Sequence, residues 1–143
     1  MEKKLYKTKY ENGQDRDYQE ILSTNIGNIK HWITKEWYES GQLKKHEEWE
    51  KGEHHGIWFW YYENGNIKWE RHFEKGVLNG IWKEWYSNGN IKFDKNTKDG
   101  KLHGPYKKYY ENGQLEQEST FNEGNVGDSF KMYDESGNVV YEK

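Results

Sequence analysis

Cysteine is absent from this 143-residue chain, which excludes a disulfide framework and any thiolate metal site. Proline occurs once, so no Pro-rich linker divides the chain. Hydrophobic residues make up only 31% against 33% charged, proportions that by themselves point towards disorder. No apolar run approaches the roughly 20 residues needed to span a bilayer. The start, MEKKLYKTKYENG, is basic but has no apolar stretch behind it, unlike a secretory leader. Neither charge is in large excess: 22 basic and 25 acidic residues leave a net charge of −3. That balance gives no general attraction for phosphate backbones or anionic lipid. The expectation is a soluble, cytoplasmic protein without nucleic-acid or membrane partners. A secreted or surface location is the alternative if a leader has been removed.

Aromatic side chains are what the chain does have: 17% of residues, with 8 Trp and 12 Tyr. Each ring carries a large apolar area, so a few placed rings can replace many aliphatics. The 15 glycines point to many turns. The length suits one domain with a modest core.

Those glycines keep time. Gly41, Gly65, Gly89, Gly113 and Gly137 are 24 residues apart. Gly52, Gly76, Gly100 and Gly124 repeat the period, as do Gly56, Gly80 and Gly104, followed by Asp128 with Gly127 one residue early. Each period holds two turn signals. One is Asn-Gly or Ser-Gly, as in YYENGNIK at 61–68, which predicts a two-residue type I′ hairpin. The other, Glu74 to Gly80, reads as a longer loop. Between them lie segments of about eight residues with period-2 alternation, too short for helices. The fold class is therefore all-β, tandem β-hairpin repeats with a 24-residue period. Residues 37–143 read as one continuous repeat domain. Gly13, Gly27 and Gly41 are 14 apart, and residues 1–36 read as degenerate repeats or a cap, as terminal repeats often are.

The two-residue turn predicts Tyr62 opposite Ile67 and Trp60 opposite Trp69. One face then collects Trp58, Trp60, Tyr62, Ile67, Trp69 and Phe73 and is expected to be buried, with the other face wet. Across repeats, Trp58, Trp82, Tyr106 and Phe130 would stack as one ladder, and Tyr38, Tyr62, Tyr86 and Tyr110 as another. A third aromatic column, Trp37, Tyr61, Trp85, Tyr109 and Tyr133, points the other way. Either it shields backbone and lysine stems, or it is an exposed track that meets a partner, since aromatics are enriched at binding hot spots. It is the candidate partner-binding site.

The words Gly52, Gly56, Trp58, Tyr61-Tyr62, Asn64-Gly65 and Ile67-Lys68, repeated from Gly76 and from Gly100, resemble the MORN repeat variant family and the bacterial YwqK-type antitoxin-like repeat proteins. The resemblance covers 37–143 well and 1–36 weakly. It departs in the last copy, where Asn125-Val126-Gly127-Asp128 alters the loop and Asp134 replaces a tyrosine. It implies an elongated single-layer antiparallel sheet and a binding or scaffolding role. Its antitoxin branch implies a protein toxin as partner.

No catalytic, cofactor-binding or metal constellation stands out. The six histidines fall at different repeat phases, apart from His55 and His103, and the side chains of His54-His55 should diverge. The carboxylates read as cross-strand partners of lysines. Lys44, Lys68 and Lys92 form a column that Glu70, Asp94 and Glu118 should offset on the same face. The expected function is a non-enzymatic protein–protein interaction module. The alternatives are a carbohydrate-binding protein with an aromatic track and a scaffold that pairs as a homodimer.

Overall fold

The computed structural model describes residues 2–23 and 30–143, and at 2–6, 15, 17–23 and 30 its backbone. The turn words at Ile26 to Ile29 lie outside the described residues. The strands are β1 (Glu2–Lys9), β2 (Asp15–Ser23), β3 (Lys30–Trp37), β4 (Leu43–Glu50), β5 (Glu53–His54), β6 (Gly56–Tyr61), β7 (Ile67–Glu74), β8 (Val77–Trp85), β9 (Ile91–Lys98), β10 (Lys101–Tyr109), β11 (Leu115–Asn122), β12 (Asn125–Tyr133) and β13 (Val139–Glu142). They form one antiparallel sheet in chain order, with the short β5 beside β4. β1 and β2 pair as a hairpin on the same sheet, and β2 continues it into β3.

The two turns of each repeat exchange the types expected of them. At Lys75-Gly76 both residues have positive φ, 50° and 79°, and Glu74 pairs with Val77. This is the type I′ hairpin, and Lys51-Gly52, Asp99-Gly100 and Glu123-Gly124 repeat it. At Asn64-Gly65 only the glycine has positive φ, 89°. The Gly65 N–H donates to the Tyr62 carbonyl at 2.9 Å, and the Tyr62 N–H to the Asn66 carbonyl at 2.8 Å. Glu63, Asn64 and Gly65 thus form a three-residue loop ending in a left-handed glycine. Ser40 before Gly41 and Ser136 before Gly137 keep out of the left-handed region as Asn64 does, with the same turn bonds, so the loop form does not depend on the Asn64 side chain, which adds bonds of its own. Its Oδ1 accepts the Asn66 N–H at 3.1 Å, and its Nδ2 donates to the Ser87 carbonyl at 2.7 Å.

One extra loop residue should slip the strands by one position. A bulge at Lys68, between the pairs Trp60↔Trp69 and Tyr61↔Ile67, restores the register. Trp60 therefore does face Trp69, but Ile67 faces Tyr61 and not Tyr62. The same shift recurs at Trp85↔Ile91 and Tyr109↔Leu115. A second irregularity lies between Arg71↔Trp82 and Phe73↔Leu78, where Gly80 adopts φ 109°. A Cβ there would stand 3.4 Å from the His72 Cβ. Gly80→Ala is expected to cost about 1–3 kcal/mol, seen as a lower urea midpoint.

Lysine at Lys75 sits in a region that costs a side chain roughly 1–2 kcal/mol and that asparagine visits more readily. Lys75→Asn is therefore expected to raise stability by about 0.5–1 kcal/mol, with the midpoint of urea unfolding rising at an unchanged slope.

Side chains of the Asn-Gly turns lace each repeat to the next. The Tyr62 hydroxyl donates to the Trp85 carbonyl at 2.9 Å. Tyr38 does the same to Tyr61 at 2.8 Å, Tyr86 to Tyr109 at 2.9 Å and Tyr110 to Tyr133 at 2.9 Å. Tyr10 reaches Trp37 at 2.7 Å across 27 residues where the others span 23. Asn66 adds a second amide on the Ser87 carbonyl at 2.9 Å, and Asn90 on Glu111 at 2.9 Å. At the opposite end the Gly76 N–H donates to His54, Gly100 to Leu78 and Gly124 to Leu102, at 2.8–2.9 Å.

Among the described residues no apolar residue is buried, and the buried ones are Glu47, Thr97 and Ser119, each still 5–6% exposed. The expectation of one buried and one wet face is corrected. A single sheet has no second layer to exclude water, so both faces are half-exposed. The stacked ladders are corrected as well. Equivalent residues of successive repeats lie two strands apart, roughly 9–10 Å, so rings meet neighbours from adjacent strands instead. Trp58 contacts Phe73 at 4.8 Å and Trp49 at 5.0 Å, and Tyr106 contacts Phe121 at 5.4 Å.

Candidate functional site on the aromatic face

Cross-strand partners share a face, so the register sorts the side chains into two surfaces. On one, a row runs Glu70↔Lys83↔Asp94↔Lys107↔Glu118↔Lys131↔Glu142 across seven strands. Charge alternates at every step. Lys83 lies 3.5 Å from Asp94 and Lys131 2.7 Å from Glu142. Water screens such pairs, so each is weak on its own. This face neutralises itself.

The candidate column lies on that charge-ladder face. Trp37, Tyr61, Trp85, Tyr109 and Tyr133 are all half-buried, paired with Leu43, Ile67, Ile91, Leu115 and Val139. The Tyr61 ring lies 6.2 Å from Phe59, and burial holds its hydroxyl above the usual tyrosine range. The Tyr133 hydroxyl donates to Glu118 at 2.6 Å, which raises its pKa in turn. The backbone carbonyls of all five accept the tyrosine hydroxyls of the neighbouring repeat.

The other face carries most of the tryptophans. One row reads Lys45↔Trp60↔Trp69↔Glu84↔Phe93↔Lys108↔Gln117. The next reads Trp58↔Arg71↔Trp82↔Lys95↔Tyr106↔Ser119↔Phe130, ring and polar residue in turn. Trp60 and Trp69 stand 4.4 Å apart. His54 lies 4.0 Å from Trp58 and 5.0 Å from Phe73. His55 instead stands 3.4 Å from Glu50, so the His-His side chains diverge. Trp58, Trp60, Trp69, Arg71, Phe73, His54 and Leu78 enclose a pocket of about 220 Å³.

The bulge changes where the lysine column points. Lys44, Lys68 and Lys92 do not share the face of Glu70, Asp94 and Glu118; they turn to the aromatic face. Lys44 bonds Glu36 at 2.6 Å, and Lys92 lies 3.3 Å from Glu84. Glu116, which ends the column, pairs with Lys108 in the reverse sense. Lys68 differs: its Nζ stands 4.8 Å above the Trp69 ring and 5.4 Å above Tyr62.

Arg71 and Lys95 lie deeper on the same face. The Arg71 guanidinium is 4.9 Å from the Trp69 ring and 4.8 Å from Trp82. Lys95 Nζ is 3.8 Å from Trp82 and 4.7 Å from Phe93. Such cation–π contacts contribute about 0.5–2 kcal/mol. Burial pushes both pKa values down, against the pull of Glu84. Among the described residues Lys68, Arg71 and Lys95 have no carboxylate within ion-pair distance. The Nε of Arg71 and the indole N–H groups of Trp69 and Trp82 are buried without a hydrogen-bond partner. Arg71 and Lys95 fill a repeat position that is polar in every copy, with Glu47 and Ser119 among its other members, and on their own strands they follow Trp69 and Phe93; a cation at that polar step beside a ring is the signal that marks them. Among the described residues no three His, Asp or Glu gather as a metal site, and no helix is long and apolar enough to cross a membrane.

The family model described as MORN repeat variant matches residues 30–51, 55–75, 78–99 and 102–123. No curated protein and no solved structure matches the chain.

Proposed function

The chain belongs to the MORN repeat variant family, and from that membership and its two unlike faces we propose a non-enzymatic module that holds a protein partner on the aromatic face. The observation that carries this reading is the contrast between the faces. One cancels its own charge across seven strands. The other leaves half-exposed tryptophans and, among the described residues, three cations with no carboxylate at ion-pair distance, one of which, Arg71, lines the pocket. Aromatic and arginine side chains with a rim of paired charges are the composition of binding hot spots. A toxin neutralised by capture on this face is the most specific form of the reading, supported by the resemblance to antitoxin-like repeat proteins.

The test is affinity capture from the native host, identification of the partner, and titration of the purified pair by calorimetry. A saturable complex supports the module. If light scattering shows only a homodimer and calorimetry no second protein, the chain is a scaffold. If the tryptophan fluorescence answers only to oligosaccharides, the face is a sugar platform.

A further inference from the structure

We propose that Lys68, Arg71 and Lys95 anchor a carboxylate of the partner, carried by an acidic segment whose neighbouring bulky apolar side chain enters the pocket beside Trp58 and Phe73. This proposal rests on the reading of the aromatic face as a protein-binding surface and names the chemistry of what it binds.

Arg71, Trp82 and Lys95 are successive members of one row on adjacent strands. Both cations lie against the same Trp82 indole, at 4.8 Å and 3.8 Å. Two half-dehydrated positive charges flank one ring. Glu84, the carboxylate whose charge acts on both, is engaged by Lys92 at 3.3 Å. Lys68 adds a third cation over Trp69. Around them the Arg71 Nε and two indole N–H groups are donors with no acceptor. The buried donors are closed to solvent, and it is the uncompensated positive charge of the cluster that an incoming carboxylate meets. Neighbouring cations on this face already have partners: Lys44 and Lys45 have Glu36, Lys92 has Glu84 and Lys108 has Glu116.

Charge complementarity also selects the source of the anion. Glu36, Glu47, Glu84 and Glu116 interrupt the basic residues of the same face and engage their lysines, so Lys68, Arg71 and Lys95 make a local positive spot and not the continuous basic stripe that tracks an extended polyanion. A segment with one or two carboxylates fits that spot. The adjoining pocket of about 220 Å³ falls below the roughly 300–1,000 Å³ of sites for drug-sized ligands. It suits a single side chain.

The test selects a displayed random-peptide library on the full chain. The enriched peptides are then titrated by fluorescence anisotropy against wild type and Arg71→Gln/Lys95→Gln. Enriched peptides should join Asp or Glu to an aromatic or aliphatic residue. The double variant should bind them about a hundredfold more weakly, tenfold for each charge-assisted contact. Replacing the acidic residue of the peptide by its amide should weaken wild type similarly but leave the double variant unaffected. Lys83→Gln, on the charge-ladder face, should leave binding unchanged. Circular dichroism establishes that the variants fold; Arg71→Lys/Lys95→Arg, which keeps both charges, should retain most of the affinity. Enriched peptides without acid, or with unchanged affinity for the double variant, overturn the proposal and leave the protein-binding module standing. No enriched peptide at all overturns both. Vesicles of phosphatidylcholine and phosphatidylserine, or heparin, retained by wild type and released by the double variant in place of peptides, make this a lipid or glycan site and overturn it too.

Discussion

Tyr62→Phe/Asn64→Ala/Asn66→Ala is expected to lower stability by about 3 kcal/mol and to split one unfolding transition into two. These side chains make three hydrogen bonds from one repeat to the next: Tyr62 to Trp85, and Asn64 and Asn66 to Ser87. Each net bond is worth about 1 kcal/mol. Asn64 also closes its own loop through the Asn66 N–H, so the loss should not fall below that sum. A repeat array is stable as a chain of neighbour interfaces. Weakening one junction should therefore separate the unfolding of residues N-terminal to it from the rest. Thermal melts should fall by about 6–12 °C, from roughly 2–4 °C per kcal/mol at this size. Hydrogen exchange should show β6 and the strands before it opening at a different free energy from β8 to β12. A single transition at the wild-type midpoint would mean that the tyrosine and asparagine columns decorate the sheet without coupling it.

Trp69→Ala/Trp82→Ala is expected to weaken the identified partner by about a hundredfold or more, the range of paired hot-spot truncations. The two rings carry the contacts to Lys68, Arg71 and Lys95, so their removal also unseats the cations. Trp85→Ala/Tyr109→Ala, on the charge-ladder face, is the counterpart. Its half-buried rings stand opposite Ile91 and Leu115 in the sheet register, and it should lower the melting temperature while affinity stays within about threefold of wild type. Calorimetric titration of both variants decides between the faces. The opposite pattern would return the binding site to the column of Trp37, Tyr61, Trp85, Tyr109 and Tyr133.

Half of the site was legible in the residues. Trp58, Trp60 and Trp69 fall on one face by simple alternation, and the structure puts them there. Lys68 could not be read that way. Alternation places it with Glu70, and the bulge turns it to Trp69. Asn-Gly also misled in an instructive way. The dipeptide suits a type I′ turn, but the same three-residue loop forms with Ser40 or Ser136 before the glycine, and the Asn64 side chain adds bonds that the turn type alone does not reveal. The correct pairing of Trp60 with Trp69 follows from two shifts that cancel, a longer loop and a bulge.

The period, the all-β class, the positions of the turns and the alternation along each strand were determined by the amino-acid sequence alone. Those properties are local: they follow from where glycine and asparagine permit a turn and from the two-residue repeat of a strand. Tertiary structure decided which turn took which form, which face received the bulged lysines, and that no described apolar side chain would be fully buried. It also decided the tyrosine ladder and the cation cluster, because both join residues on different strands or repeats. Tyr62 reaches a carbonyl 23 residues away, and Arg71 and Lys95 meet only across the Trp82 that stands between their strands. Contacts of that kind depend on register across the sheet, and register is set by loops and bulges acting together.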